Sequence, residues 1–317
     1  MKSSVLIVAG PTAAGKKTFA LEVARDYNGE IVSVDSRKVY RGMDIGTAKP
    51  PPAIRDEIPH HLIDIVDPDT PFSAWDWLVR ASSAVKDILE RGRLPILSGG
   101  TGFYISAFVD GLTPGISADP SIREELECEL DEHGPGALHE ELRHVDPIRA
   151  EELHPNDAIR IMRALEICRA TGETFTAFRR KPRVNGGDYR FMSIGITRER
   201  KDLYERINNR VDAMIDAGLI DEIRSLFDRG YDRTLTAFDT VGYKEWFDYI
   251  EGGAAFHECI EEMKQNTRRY AKRQMTWFRG RKEIHWFDPG RSEAMGKAQR
   301  LIEEFLEGGH DDTAEKS

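Results

Sequence analysis

A glycine-rich segment near the beginning of the chain carries the first spacing that suggests chemistry. It lies between a strand-like apolar run and a helix-like run, and it reads Gly10-Pro11-Thr12-Ala13-Ala14-Gly15-Lys16. In such a segment the glycines let backbone N–H groups turn toward an anion, the next helix adds its positive end, and the lysine reaches the outer phosphates. The spacing predicts a phosphate-binding loop; an ordinary glycine-rich turn is the alternative.

The position after Lys16 departs from this pattern. A phosphate-binding loop normally continues with Ser or Thr, whose hydroxyl binds Mg²⁺, whereas here Lys17 precedes Thr18. One step along a helix rotates a side chain by about 100°, so Thr18 does not simply take the place of the missing hydroxyl. Three interpretations stay open: Thr12, Thr18 or another group holds the metal, the Lys17 ammonium supplies part of its charge, or the site is impaired.

An aspartate, Asp35, directly follows the second apolar run, Glu30–Val34. If that run is a parallel strand, Asp35 lies at the carboxyl edge of the sheet, where ligands bind. An isolated aspartate in such a place is more often a helix cap or a group beside a metal ion than a general base.

A strongly basic segment lies near the end of the chain. Residues 264–282 contain eight Lys or Arg and no acid, interleaved with Tyr270, Trp277 and Phe278. This segment carries +8, while the rest of the chain carries −18. A solvated helix face is the usual explanation of such a run, but the asymmetry favours an RNA-binding face.

The remaining pattern alternates strands with helices. Strands are predicted at Val5–Ala9, Glu30–Val34, Leu94–Leu97 and Tyr189–Ile196, and helices at Lys16–Tyr27, at Ala74–Glu90 and from Asp202 to about Leu306. Alternating strands and helices indicate βαβ units, so we expect an α/β fold with a P-loop NTPase-like parallel sheet flanked by helices.

The middle of the chain changes character, which sets the predicted domain organisation. Residues from about 119 to 176 are charge-rich and helical in pattern. We expect a core formed by residues 1–113 and 188–307, the second part with basic C-terminal helices, a helical insertion domain at 114–187, and a disordered polar tail at 308–317.

Length and composition exclude several classes of protein. The 317 residues carry a net charge of −10 and three dispersed cysteines, which argues against a general nucleic-acid coat, a disulfide framework and a thiolate zinc site. No apolar run approaches the roughly 20 residues that span a bilayer. We therefore expect a cytoplasmic protein with no membrane partner. His60 and His61 lack a third ligand at metal-binding spacing, so a loop or core role is favoured.

Several longer motifs occur together and point to one family. The longest is Ser33–Pro50, which contains Asp-Ser-Arg-Lys-Val-Tyr-Arg-Gly-Met-Asp-Ile-Gly-Thr-Ala-Lys-Pro; the others, in order, are Pro59–Asp64, Gly99–Tyr104, His154–Asp157, Arg163–Glu166, Glu205–Asp212, Val241–Glu245 and Thr267–Arg279. In this combination the chain resembles the tRNA dimethylallyltransferases, also called tRNA isopentenyltransferases. It departs from them at Lys17 and, more mildly, at Lys38, where many members carry glutamine.

The resemblance implies an activity, its partners and its cofactor. The enzyme would transfer a dimethylallyl group from dimethylallyl diphosphate to N6 of adenosine 37, next to the anticodon of tRNA, with Mg²⁺ as cofactor. We expect it to be a cytoplasmic monomer whose insertion domain contacts the tRNA.

The resemblance also assigns roles to individual residues. Catalytic roles fall to Asp35 as the base, to Lys16 and Arg210 on the leaving diphosphate, and to Thr101. Diphosphate or nucleotide binding falls to Gly10, Pro11, Thr12, Ala13, Ala14, Gly15, Lys16 and Lys17. Contacts to tRNA fall to Asp35, Ser36, Arg37, Lys38, Thr101, Arg123, Ile159, Arg160, Ile161, Met162, Arg163, Thr240, Val241, Gly242, Tyr243, Lys244, Arg268, Arg269, Lys272 and Arg273.

Three other functions remain open on the residues alone. A small-molecule P-loop kinase would also need the phosphate loop, but it has no use for the basic aromatic segment, and neither has a transferase that acts on free adenine nucleotides. A tRNA-binding relative whose catalysis is weakened by Lys17 would keep the basic segment.

Overall fold

The structure, a computed structural model, describes residues 2–114 and 119–308. The predicted disordered tail therefore lies, apart from Gly308, outside the described residues. The chain divides into two compact units, one comprising Met1–Val109 with Gly186–Ser317 and the other comprising Asp110–Asn185. The sequence placed the boundaries of the insertion at residues 114 and 187.

The first unit is built on a six-stranded sheet in the order β3-β2-β4-β1-β5-β6, and all of its strand pairs are parallel. Its strands are β1 (Ser4–Ala9), β2 (Gly29–Val34), β3 (His60–His61), β4 (Leu94–Gly99), β5 (Arg190–Ile196) and β6 (Ile284–Phe287). The four predicted strands are confirmed as β1, β2, β4 and β5. Strands β1 and β2 are almost wholly buried. In β1 this agrees with a continuous rather than alternating apolar sequence, whereas β2 also buries the polar residues Glu30 and Ser33.

Helices of the first unit flank this parallel sheet, as expected for the P-loop-like α/β class. They are α1 (Lys16–Asp26), α2 (Pro52–Glu57), α3 (Ala74–Glu90), α4 (Gly102–Asp110), α9 (Arg200–Asp216), α10 (Leu219–Asp228), α11 (Phe247–Ile250), α12 (Phe256–Arg279) and α13 (Ala294–Glu307). Helix α3 has the bounds that the sequence predicts, and a capping box formed by Ser73 and Asp76 fixes its N-terminus. Among the described residues, no helix is both long and apolar enough to cross a membrane.

The second unit is helical, with α5 (Pro120–Val145), α6 (Pro147–Glu152), α7 (Ala158–Thr171) and α8 (Phe175–Arg179). Helix α5 bends at Gly134, whose φ of 75° lies outside the helical region. A small core of its own, which includes Leu126, Leu142, Ile161 and Leu165, holds these helices together.

The sequence interpretation was wrong in one segment and incomplete in another. The segment from Asp202 to Leu306 is not helical throughout, because Ile284–Phe287 forms β6 beside β5. Strand β3 was not predicted either. Its two histidines have local partners: His60 Nδ1 lies 2.7 Å from the carbonyl oxygen of Ile58, and His61 Nε2 lies 2.6 Å from a carboxylate oxygen of Glu30.

A buried lysine stabilises the long connection between β2 and α2, the segment that begins with Asp35. The Lys49 side chain is 3% exposed. Its ammonium group donates to the Tyr40 carbonyl oxygen at 2.6 Å and to carboxylates of Asp44 and Asp64 at 2.7 and 2.5 Å. An unpaired buried ammonium would be very unfavourable, so these three acceptors fix the path of the connection. Part of the motif at 33–50 is thus explained by folding.

Candidate active site

The phosphate-binding loop follows β1 and ends at the first turn of α1. Gly10 has a φ of 136°, and a Cβ there would lie 2.2 Å from the carbonyl oxygen of Ile196, so only glycine fits. Gly15 caps α1 with a φ of 107°, also in the region that glycine favours. The loop therefore presents its backbone and the N-terminus of α1 to the same place.

Lys16 reaches back over this loop. Its ammonium group donates a hydrogen bond to the carbonyl oxygen of Pro11 at 2.6 Å. Burial, and then the positive charges of Arg210 and Lys38, lower the pKa of Lys16 to about 7, while Asp35 acts in the opposite direction. A bound anion would stabilise the charged form of such a lysine and raise its pKa again, so Lys16 is suited to binding an anion.

Three further cations stand close to Lys16. Burial lowers the pKa values of Lys17, Lys38 and Arg210, and mutual repulsion among these groups contributes to each of the two lysine shifts. The side chains of Lys17, Lys38 and Arg210 have no hydrogen-bond or ion-pair partner among residues 2–114 and 119–308. We call Lys16, Lys17, Lys38 and Arg210 the cation cluster.

The cation cluster lines a cavity of about 630 Å³, which we call the anion cavity. Its wall includes the loop residues Thr12, Ala13 and Gly15, together with Lys49, Arg206, His60 and Asp35. Among the residues that the structure describes, Asp35 is the only carboxylate in that wall, so the cavity is strongly positive. Burial and the neighbouring cations lower the pKa of His60, which keeps its imidazole neutral near pH 7.

Asp35 stands at the carboxyl end of β2. Its Oδ1 accepts backbone N–H groups of Arg37 at 2.9 Å and of Lys38 at 3.3 Å. These contacts close a turn at residues 36–39 and no helix begins there, so Asp35 is not the helix cap that the sequence offered as an alternative to catalysis. Its Oδ2 makes no hydrogen bond to the described part of the chain, so one oxygen anchors the carboxylate and the other remains available.

A second cavity, of about 320 Å³, adjoins the first, and we call it the mixed cavity. The two cavities share Thr12, Asp35, Thr47, Arg210 and Tyr270. The apolar part of the mixed cavity comes from α9 and α12, and its polar part includes Ser36, Arg37, Asp239, Thr240, Lys244 and Arg273. A ligand in each cavity would therefore meet the other at Asp35 and Arg210.

Gln274 is the main site residue that the sequence analysis missed. Its Oε1 accepts the backbone N–H of Thr12 at 2.8 Å, and its Nε2 donates to the carbonyl oxygen of Gly100 at 2.9 Å. The buried amide thus ties the phosphate loop to the loop after β4. A signal was available, since Met263, Thr267, Tyr270 and Gln274 follow helical spacing and line the cavities.

Helix α12 also contains most of the basic segment, and its cations lie mainly on faces other than the one that lines the cavities. Arg269, Lys272 and Arg279 are exposed, whereas Arg268 donates to Asn208 Oδ1 at 2.6 Å and the Lys264 ammonium lies 2.8 Å from Asp212. Arg273 stacks over the Tyr270 ring at 5.7 Å, beside the mixed cavity. The six cations of the segment that lie on α12 are thus divided among internal pairing, ring stacking and solvent.

The predicted RNA contacts at residues 240–244 have different environments. Thr240, Val241 and Lys244 line the mixed cavity. The backbone N–H of Gly242 is held by Glu245, and the buried Tyr243 donates its hydroxyl to Glu222 at 2.6 Å. The Tyr243 side chain is therefore part of the core. Thr101 caps α4 directly after Gly100, but it does not line either cavity.

In the helical unit the predicted contact residues separate into exposed and buried groups. Ile159 is 74% exposed and Arg160 lies beside it at the surface, whereas Ile161 and Met162 belong to the core of this unit. The side chains of Ile161 and Met162 therefore serve packing, and contact of this segment with RNA stays a prediction. Arg123 and Arg163 both pair with the buried carboxylate of Glu166, at 2.8 and 2.9 Å.

The residues suggested for Mg²⁺ do not make a protein-ligated metal site. Thr18 is exposed on α1 and lines neither cavity, while Thr12 offers one hydroxyl. In the described ranges no group of three or more His, Cys, Asp or Glu side chains could hold a metal ion. Any Mg²⁺ in the anion cavity would sit among lysines and arginines, with a single carboxylate in reach.

Comparisons with known proteins agree with this arrangement. The protein-family model described as IPP transferase matches residues 38–281 of this chain. The tRNA dimethylallyltransferase of Geobacter metallireducens is 48% identical over 295 residues, covering 93% of this chain and 96% of the relative.

Solved structures agree as well. The tRNA isopentenylpyrophosphate transferase from Bacillus halodurans is 42% identical, with a TM-score of 0.71 and coverage of 97% of this chain and 98% of that one. A eukaryotic dimethylallyltransferase crystallised acting on tRNA is 26% identical, with a TM-score of 0.79 and coverage of 96% and 80%. The sequence resemblance is thereby confirmed, and the chain belongs to the IPP transferase family.

Proposed function

We propose that this protein is a tRNA dimethylallyltransferase, which transfers a dimethylallyl group from dimethylallyl diphosphate to N6 of adenosine 37 of tRNA. The observation that carries the proposal is the pair of cavities that meet at Asp35 and Arg210. One is positive enough for a diphosphate, and the other combines apolar walls with cations at its edge. Two substrates can thus approach a shared point from separate sides.

The anion cavity suits the leaving group. As the bond from the dimethylallyl C1 to the diphosphate oxygen breaks, its electron pair leaves on the diphosphate, so negative charge grows there. Preorganised cations and loop amides stabilise that charge without reorganising, which is commonly the largest single contribution to catalysis. Lys16 and Arg210, both partly withdrawn from water, are placed for this role.

Asp35 suits the other half of the reaction. The exocyclic amine of adenine attacks C1, a new N6–C1 bond forms, and N6 must lose a proton. A carboxylate that is anchored through Oδ1 and has a free Oδ2 can take that proton without moving.

The adenine base must swing out of the base stack of the anticodon loop to reach Asp35, because a base within a stack is inaccessible. Ser36, Thr240 and Lys244 supply polar groups around the mixed cavity, and Arg273 places a cation at Tyr270. The exposed cations of α12, Arg269 and Lys272, extend the positive surface available to the RNA backbone.

The direct test is incubation with dimethylallyl diphosphate and unmodified tRNA, followed by nucleoside analysis. We expect N6-isopentenyladenosine at position 37, none when the diphosphate is omitted, and none on a matched tRNA that carries guanosine there. ATP hydrolysis without prenylated nucleoside would instead support the kinase alternative, and absence of product from every tRNA tested would contradict the proposal.

A further inference from the structure

The positive charge of the cation cluster does not fit the Mg²⁺ ion that the family resemblance implies for the anion cavity. The wall of the anion cavity holds the cation cluster, Arg206 and Lys49, with Asp35 as its carboxylate. Lys49 is paired with Asp44 and Asp64, so five cations remain against one carboxylate, and partial protonation of Lys16 near pH 7 makes the net charge about +3 to +4. A diphosphate monoester carries about three negative charges near neutral pH. The protein alone therefore balances the charge of such a ligand, and a divalent cation would create an excess.

Lys17 and Lys38 make the difference. Neither ammonium group has a hydrogen-bond or ion-pair partner in the described chain, and both line the anion cavity. Lys17 occupies the position at which a phosphate loop normally places a metal-binding hydroxyl. An ammonium there donates hydrogen bonds to phosphate oxygens directly, and it repels a cation.

We propose that Lys17 and Lys38 are diphosphate-positioning residues that replace Mg²⁺, so that this protein binds its diphosphate substrate without a divalent metal. The inference rests on the proposed function only in taking the bound anion to be a diphosphate. It also means that Lys17 contributes to substrate binding and does not simply impair the site.

The proposal is tested with inorganic pyrophosphate as the probe, by calorimetric titration of the whole protein in EDTA and again in excess Mg²⁺. Wild type should bind in EDTA at least as tightly as in Mg²⁺, because the metal lowers the charge of the ligand. Lys17→Thr should bind at least about 10-fold more weakly in EDTA, since a charge-assisted contact is lost, and Mg²⁺ should restore part of that loss.

Two further variants make the result specific. Lys38→Gln should also weaken binding in EDTA, by a similar factor. Lys86→Thr removes an equally charged side chain on α3 that is 71% exposed, and it should leave both titrations unchanged. Recovery of Lys17→Thr by Mg²⁺ would show that the variant is folded, because a misfolded protein would not recover.

Wild-type binding that is at least 10-fold weaker in EDTA than in Mg²⁺ would overturn the inference, and so would identical behaviour of wild type and Lys17→Thr. These outcomes are separable from the proposed function, because the titration contains no tRNA. Product formed on tRNA only with Mg²⁺, together with Mg²⁺-dependent pyrophosphate binding, would reject the inference and keep the transferase. Metal-free binding without any product on tRNA would support the inference and reject the transferase.

Discussion

Replacing Lys16 by methionine should change how the stability of the ligand-free protein depends on pH. In the folded chain burial, then Arg210 and Lys38, lower the pKa of Lys16 to about 7, whereas its ordinary value is 10.5. Between these values the unfolded chain binds more protons than the folded chain. The free energy of unfolding therefore rises with pH across this window, and below it the full penalty for the charged amine is present.

The size of the effect follows from the same two pKa values. Between pH 7 and pH 9 the Lys16 contribution should increase the free energy of unfolding by at most about 2 kcal/mol, and by less to the extent that water screens the partly exposed amine. Methionine keeps the length of the side chain without its charge. It loses the hydrogen bond to Pro11, a penalty of about 1 kcal/mol that varies little with pH.

The assay is urea unfolding of both proteins at the two pH values, followed by tryptophan fluorescence in buffer free of phosphate. We compare the free energy of unfolding of Lys16→Met with that of wild type at each pH. The difference, variant minus wild type, should be more positive at pH 7 than at pH 9. The control is Lys86→Met, which removes an exposed lysine from α3 and should show no such change. A difference between Lys16→Met and wild type that is equal at both pH values would refute the electrostatic reasoning.

Two other predictions concern α12. Gln274→Leu removes the side chain that joins Thr12 to Gly100 and should lower the free energy of unfolding by about 2–4 kcal/mol in urea titrations, since two backbone groups lose their partner; an unchanged midpoint would mean that water replaces the amide. Arg269→Ala and Lys272→Ala should each reduce the salt dependence of tRNA binding by about one unit of slope, measured by filter binding. Lys297→Ala on α13 is the matched control and should keep the wild-type slope. If Arg269→Ala and Lys272→Ala also keep that slope, these residues of α12 do not contact the RNA.

The phosphate loop could be predicted from the sequence because its function depends on neighbours in the chain. Gly10, Gly15 and Lys16 act together within one turn between a strand and a helix, so their spacing is sufficient. The turn that the Oδ1 of Asp35 closes is equally local, since the partners of this oxygen are two and three residues away. The role of the free Oδ2, by contrast, depends on the two cavities beside it, and these form only in the folded chain.

Contacts between distant segments could not be predicted in the same way. Gln274 lies 262 residues from Thr12, and a glutamine on a helix has many solvent-exposed equivalents. The four residues of β6 are too few to show a period, and their strand form depends on pairing with β5. Ile161 and Met162 fall beside exposed residues on α7, and only packing within the helical unit shows that their side chains are buried.

In the proposed reaction Asp35 takes the proton from adenine N6 where the two cavities meet. Asp35→Asn tests it closely, because the asparagine carbonyl oxygen can still accept the backbone N–H groups of Arg37 and Lys38 but the amide cannot take a proton. The decisive measurement is the single-turnover rate of prenyl transfer to saturating tRNA, alongside the affinity for tRNA. We expect a rate lower by about 10²–10⁴ with tRNA affinity within about twofold of wild type. An unchanged rate, or a loss of rate explained by weaker tRNA binding, would exclude this role of Asp35.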